Sequence, residues 1–231
     1  MSFRFKQFFI EDSKCAMKVG TDGVLLGAWV PIPYTIHHTP HTILDIGTGS
    51  GLIARMLMQR CPEAEVEGID IDAAAVEQAK ENGVKASCVK LQEWQGGPYD
   101  LIVSNPPYFR NSLKNPDKGR ELARHTDTLS YEELLVHSAR LLNEDGQLAV
   151  ILPAEAEAEV RRLAAVQNLF LTHLTRVYSK ETKPARRVMM AFEITRSRDH
   201  VVTTKTDTLI LEDEKGGRSA AYSELCKEFY L

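Results

Sequence analysis

The sequence predicts an α/β fold: a doubly wound, mostly parallel seven-stranded sheet, with an antiparallel strand late in the chain and a short N-terminal cap segment. Three observations carry this. From Thr42 to Val166, short apolar runs bounded by turn residues alternate with segments of helical spacing, the pattern of strands buried on both faces between layers of helices. A glycine-rich stretch, 47–51, follows the first of those runs. Two late apolar runs, 170–177 and 188–194, have no helical pattern between them, so they are expected to pair antiparallel.

The elements follow in order. Residues 1–40 form the cap, opening with Phe3, Phe5, Phe8 and Phe9 and basic residues between them. Thr21 or Asp22 is expected to cap a short helix running to Trp29, which Pro31 and Pro33 end. Residues 41–231 form the main domain. Strands are expected at 42–46, 65–71, 86–91, 99–104 and 147–152. Helices are expected at 52–59, from the cap Asp72 to about Asn82-Gly83, at 131–142 and at 155–166. Residues 196–218 are polar and contain Gly216-Gly217, so an exposed excursion is predicted there.

Composition limits the function. Of 231 residues, 43% are hydrophobic and 26% charged, which argues against a disordered chain. No run approaches the roughly 20 apolar residues that cross a bilayer, so no membrane partner is expected. The first six residues lead into no apolar stretch, and no secretory signal is predicted. The net charge of −4 means that any nucleic acid must meet a local basic patch rather than a global field. Cys15, Cys61, Cys88 and Cys226 form no CxxC pair, which predicts reduced thiols in a cytoplasmic protein. His37, His38 and His41 lie among prolines and read as a loop. No metal is expected.

The first strand runs into Asp45-Ile46-Gly47-Thr48-Gly49-Ser50-Gly51. Glycines between a strand and a helix let a ligand approach the backbone closely. The spacing is GxGxG, not the GxGxxG suited to a dinucleotide pyrophosphate. Asp45 sits where a cation or amine can be met. Nineteen residues past Gly51, Asp70 ends the second strand, and its carboxylate can accept two hydrogen bonds from vicinal ribose hydroxyls. Asp72 reads as a helix cap rather than a ligand.

This arrangement resembles the first motif, and its acidic partner, of the Rossmann-like S-adenosylmethionine-dependent methyltransferases. The resemblance implies S-adenosyl-L-methionine as cofactor, with Gly47, Gly49 and Gly51 around its methionine part, Asp70 on its ribose, and Asp45 and Thr48 also at the cofactor site. The family often has a further Asp after the third strand, against the adenine. Here Val89-Lys90-Leu91-Gln92-Glu93-Trp94 holds none, which leaves Gln92, Glu93 or a backbone group for that contact.

The fourth strand runs into Ser104-Asn105-Pro106-Pro107-Tyr108-Phe109. Two prolines end the strand and stiffen its exit. The Asn105 amide oxygen and the Pro106 carbonyl can together accept both protons of a planar amino group, and Tyr108 offers a face on which a base can stack. An exocyclic amine is a poor nucleophile because its lone pair is delocalised into the ring. Two acceptors on its N–H bonds draw the nitrogen towards a tetrahedral form. The tetrapeptide is similar to the fourth motif of amino-group methyltransferases, which include adenine-N6, guanine-N2 and glutamine-N5 enzymes.

Residues 14–29, 122–126 and 222–231 resemble the corresponding stretches of the bacterial tRNA1(Val) adenine-37 N6-methyltransferases. That resemblance covers nearly the whole chain. It implies a tRNA partner met at its anticodon loop, and an opening segment folded over the cofactor with Lys18, Thr21 and Asp22 at the site. A monomer is expected. Two basic runs fit an RNA partner: Arg110, Lys114, Lys118, Arg120 and Arg124, and Arg176, Lys180, Lys183, Arg186 and Arg187. The alternatives are methylation of rRNA guanine, DNA adenine or a protein glutamine, a binding protein without transfer activity, and a nicotinamide oxidoreductase, which the loop spacing disfavours.

Overall fold

The computed structural model describes residues 2–32, 42–107, 129–195 and 202–231. Strands β1 (Ser2–Arg4) and β2 (Phe9–Glu11) form an antiparallel hairpin, followed by α1 (Thr21–Trp29). Then come β3 (Thr42–Ile46), α2 (Leu52–Arg60), β4 (Glu65–Asp70), α3 (Ala73–Glu81), β5 (Lys85–Cys88) and β6 (Tyr99–Ser104). The second half holds α4 (Tyr131–Leu141), β7 (Leu142–Pro153), α5 (Glu157–Val166), β8 (Leu169–Tyr178), β9 (Ala185–Ile194), β10 (Lys205–Ile210) and α6 (Ala220–Leu225).

The main sheet has the order β10-β8-β9-β7-β6-β3-β4-β5. Strands β3 to β7 are parallel, β9 is antiparallel to both neighbours, and β10 pairs parallel with β8. Seven of these strands match the expected ones. The eighth, β10, lies within the stretch predicted as an excursion. Only Leu209 of its six residues is buried, so this edge strand carries no apolar alternation to reveal it. The start of α1 also differs from expectation. Its N-cap is Gly20, with no side-chain cap bond. Asp22 stands in the first turn, where a carboxylate meets the positive end of the helix, and it accepts from Arg187 Nε at 2.7 Å.

Alternation along the strands fills two cores. Ile43, Leu101, Val103, Ala149, Ile151, Met189 and Ala191 face α1, α2 and α6. Leu44, Ile102, Leu148, Val150, Val188, Met190 and Phe192 face α4 and α5. The first core also takes in both ends of the chain. Phe5 stacks on Phe8 with centroids 4.8 Å apart, and Lys6 N donates to Phe229 O at 2.9 Å.

From β3 the chain winds outward through β4 to β5, then returns to place β6 on the other side of β3. Strand order therefore reverses between β3 and β6. Ligands of open α/β sheets bind in the crevice beyond the carboxyl ends of strands at such a point. Ile46 is the register partner of both Ser104 and Ile69. The chain segments leaving β3, β4 and β6 thus start from one row, adjacent strands lying about 4.8 Å apart. Ser104 Oγ donates to Ile46 O at 2.9 Å and fixes that row. Among the described residues no helix is long and apolar enough to cross a membrane.

Candidate active site

The loop after β3 wraps the end of β4. Gly47 N and Thr48 N both donate to Ile69 O, at 2.8 and 3.0 Å, and Gly51 N closes a turn onto Thr48 O at 2.8 Å. Gly47 and Gly49 have φ of +70° and +55°, and a Cβ on either would meet nothing within 4 Å. The loop therefore turns bare backbone towards open space, as a cradle for a ligand requires. Gly51 has another task. With φ of +80°, its missing Cβ would lie 2.7 Å from Val84 Cγ2, so it seats the start of α2 against the chain leading into β5.

The space beyond the loop is a cavity of about 690 Å³, within the usual size for a small-molecule or cofactor site. Three walls enclose it. The first is Gly47 to Ser50. The second is 69–72 with 89–92, on the side of β4 and β5. The third is the segment 15–23 from the N-terminal part of the chain. Met17 and Ile71 stand at its rim 54% and 53% exposed, apolar surface that a bound ring system would cover.

Asp70 ties two of these walls together. Its Oδ2 accepts from Gly49 N at 2.9 Å and its Oδ1 from Asp72 N at 3.0 Å. Each oxygen keeps a lone pair for a further donor, so the carboxylate is oriented and still able to take ribose hydroxyls. Asp72 Oδ1 accepts from Ala74 N at 2.9 Å and caps α3. The open loop, the oriented carboxylate and the cavity size fit an adenosylated amino acid such as S-adenosyl-L-methionine.

The expected site residues fall in different places. Lys18, Thr21, Gly47, Thr48, Gly49, Asp70 and Asn105 line the cavity. Pro106 is buried beside Asn105. Lys18 also staples its own segment, donating from Nζ to Asp12 O at 2.7 Å and Ser13 O at 3.2 Å. Asp45 and Gly51 lie beneath the loop rather than on the cavity wall. Tyr108 lies outside the described residues, as do His37, His38, His41, residues 122–126 and the basic run from Arg110 to Arg124.

At the far end, Gln92 and Glu133 line the cavity together, with Gln92 Nε2 donating to Glu133 Oε1 at 3.0 Å. Glu93, the other candidate for the adenine contact, is not part of that wall. The backbone N–H of Ser130, then its hydroxyl and Gln92, hold the Glu133 carboxyl below the usual range. Glu133 escapes a reading confined to β–α junctions. Its signal is the capping box Ser130-x-x-Glu133 that opens α4.

Asp45 is 0% exposed. Its Oδ2 accepts from Thr48 Oγ1 at 2.8 Å and Ala54 N at 3.2 Å, so it braces the loop from inside. Burial pushes its carboxyl up to about 7; the Thr48 and Ala54 bonds pull the other way, and the Asp70 charge adds to the rise. The folded value lies above the ordinary 3.8. The native state therefore holds a proton that the unfolded chain releases. The associated stability is complete below about pH 4 and is lost as pH rises through 7. Between pH 6 and 8 the protein is expected to lose about 1 kcal/mol, or roughly 2–4 °C in Tm for a chain of this size. Thermal melts of Asp45→Asn should lack that slope; a slope equal to the parent's would assign it to other groups.

The second basic run lies at the same sheet edge, around the turn from β8 to β9. Three of its five cations are held by acids. Arg176 bonds Glu157 through Nε and Nη2 at 2.9 and 2.7 Å, Arg187 bonds Asp22, and Lys180 pairs with Glu212 at 3.3 Å. The run is therefore less positive than its sequence suggests, with Lys183 exposed on the turn and Arg186 exposed at the start of β9.

The chain matches the family model "Methyltransferase small domain" over residues 32–179. Among solved structures, a predicted O-methyltransferase from Agrobacterium tumefaciens superposes with a TM-score of 0.68 at 16% identity, covering 90% of this chain and 96% of that one. A putative class I S-adenosylmethionine-dependent methyltransferase from Listeria monocytogenes gives 0.54 at 16% identity over 73% and 58%. At those identities the likeness speaks for the fold, a Rossmann-like methyltransferase sheet. Sequence relatives are far nearer. A tRNA1(Val) (adenine(37)-N6)-methyltransferase from Phocaeicola vulgatus is 44% identical over 99% of this chain and 97% of its own length. One from Flavobacterium johnsoniae is 41% identical over 99% of each. With that identity sustained almost end to end, the chain belongs to the tRNA1(Val) (adenine(37)-N6)-methyltransferase family, within the small-domain methyltransferases.

Proposed function

We propose that this chain methylates N6 of an adenine in tRNA, adenine 37 beside the anticodon of tRNA1(Val), and that it does so in the cytoplasm as a monomer. The observation that carries the reading is the register of Ile46 with Ser104. It sets Asn105, a side chain that can grip an amine, next to the open glycine loop. The family relationship supplies the substrate.

The roles follow from the chemistry of the residues. Asn105 accepts one N–H of the adenine amine through its amide oxygen, and the Pro106 carbonyl accepts the other. Both bonds draw electron density onto nitrogen and fix its direction. Tyr108 stacks on the base, a contact worth roughly 1–3 kcal/mol. Asp70 holds the ribose of the cofactor, and Gly47 to Gly49 hold its amino-acid part. When bound, S-adenosyl-L-methionine supplies the sulfonium methyl group that N6 takes up. Alignment is the main task left to the protein, and the surplus proton on nitrogen passes to solvent. The target base sits in a loop, where unstacking costs less than in a duplex. Lys183 and Arg186 reach its phosphates.

Purified protein with methyl-labelled cofactor tests the reading against tRNA, rRNA, DNA and a release factor. Label is expected in tRNA alone, as N6-methyladenosine. Label on a guanine, on DNA or on glutamine overturns it.

A further inference from the structure

The segment that walls the cavity from the N-terminal side follows a three-residue strand, β2. So short a hairpin supplies little stability of its own. What fixes it is the last turn of α3. Asn82 lies there 8% exposed. Its Oδ1 accepts from Glu11 N at 3.0 Å, and its Nδ2 donates to Glu11 O at 2.7 Å. The amide thus pairs with both backbone groups of one residue, as a neighbouring strand would. The second hydrogen of the same Nδ2 goes to Ser50 O at 2.8 Å. One buried side chain therefore joins the end of β2, which leads into the wall 15–23, to the glycine loop at Ser50.

Gln78, one turn earlier and 1% exposed, continues the seam. Its Oε1 accepts from Ser13 Oγ and Lys14 N, both at 3.2 Å, while its Nε2 donates to Glu81 Oε2 at 3.0 Å. Outside, Lys14 Nζ bridges Glu77 and Glu81 at 2.8 and 2.7 Å. The other end of α3 is tied to Asp70 through Asp72.

We infer that Asn82, assisted by Gln78, is a positioning residue for the cofactor: it buckles the segment 11–19, at its Glu11 end, to the glycine loop and so sets the width of the cavity between them. The inference rests on the reading of this cavity as the S-adenosyl-L-methionine site. Neither amide lines the cavity. Each acts through the backbone it holds, so the effect falls on cofactor affinity more than on the transfer step.

The test measures S-adenosylhomocysteine binding by titration calorimetry and tRNA methylation at saturating cofactor. It compares the parent with Asn82→Ala, Asn82→Asp and Lys80→Ala. The aspartate keeps the acceptor for Glu11 N but turns two donors into an anion facing two carbonyl oxygens. Lys80 is exposed on the same turn and serves as control. Both Asn82 variants are expected to weaken binding about tenfold or more, with kcat within about twofold of the parent. Amide hydrogen exchange should speed up across 11–19 and not in the strands of the main sheet. Lys80→Ala should bind as the parent does. Parent-like affinity in a folded Asn82 variant overturns the buckle alone. So does loss of kcat without loss of affinity, or exchange that speeds up throughout the sheet. A parent protein that does not bind S-adenosylhomocysteine overturns the cofactor reading itself, an outcome visible before any variant is made.

Discussion

Replacing Asn105 by alanine is expected to lower kcat for tRNA methylation by about 10²–10³-fold, the usual cost of removing one polar group that acts on the reacting atoms. Cofactor binding should stay within about threefold, because ribose and loop contacts are untouched. The amine would keep one acceptor at Pro106, but its nitrogen would lose the pull that frees the lone pair. Asn105→Asp retains oxygen acceptors and should retain more activity than alanine. Single-turnover rates with excess enzyme separate this effect from binding. An Asn105→Ala protein that transfers methyl at the parent rate would remove Asn105 from the reaction.

Replacing Asp70 by alanine should act on the opposite side of the balance, with S-adenosylhomocysteine affinity falling by about 100-fold, as expected for loss of hydrogen bonds to a charged group. The carboxylate does two things at once. In the proposed reading it presents oxygens to the ribose, and in the structure it accepts from Gly49 N and Asp72 N. Asp70→Asn spares little, since its amide nitrogen must face one of those two N–H groups. At saturating cofactor kcat should recover most of the loss. Calorimetry reads the affinity, and a fall confined to kcat would contradict the assignment.

Much of the fold is legible in the sequence because strands buried on both faces are nearly continuous apolar runs, as 99–104 and 147–152 are. The glycine stretch and Asp70 announce themselves for a similar reason: each sits at a strand end where one residue type is needed. What escapes the sequence depends on pairing across long separations. Strand β10 is polar because its sheet edge is lightly covered. Gly20 caps α1 without a side-chain bond, while Asp22 serves Arg187, 165 residues away. Asp45 looks like a ligand by position, yet its side chain turns under the loop and binds Thr48 and Ala54. Gln78 and Asn82 read as ordinary polar residues of a helix, and only the packed β2 shows what their amides hold. The charge of 176–187 shrinks once Glu157, Asp22 and Glu212 take their partners.

A crystal structure with bound S-adenosylhomocysteine measures the central geometry directly. The account predicts ribose hydroxyls at hydrogen-bond distance from Asp70, the amino-acid part along Gly47 to Gly49, and the sulfur facing Asn105 across a gap that admits a flat amine. A ligand whose sulfur points away from Asn105, or one bound elsewhere on the protein, would contradict it.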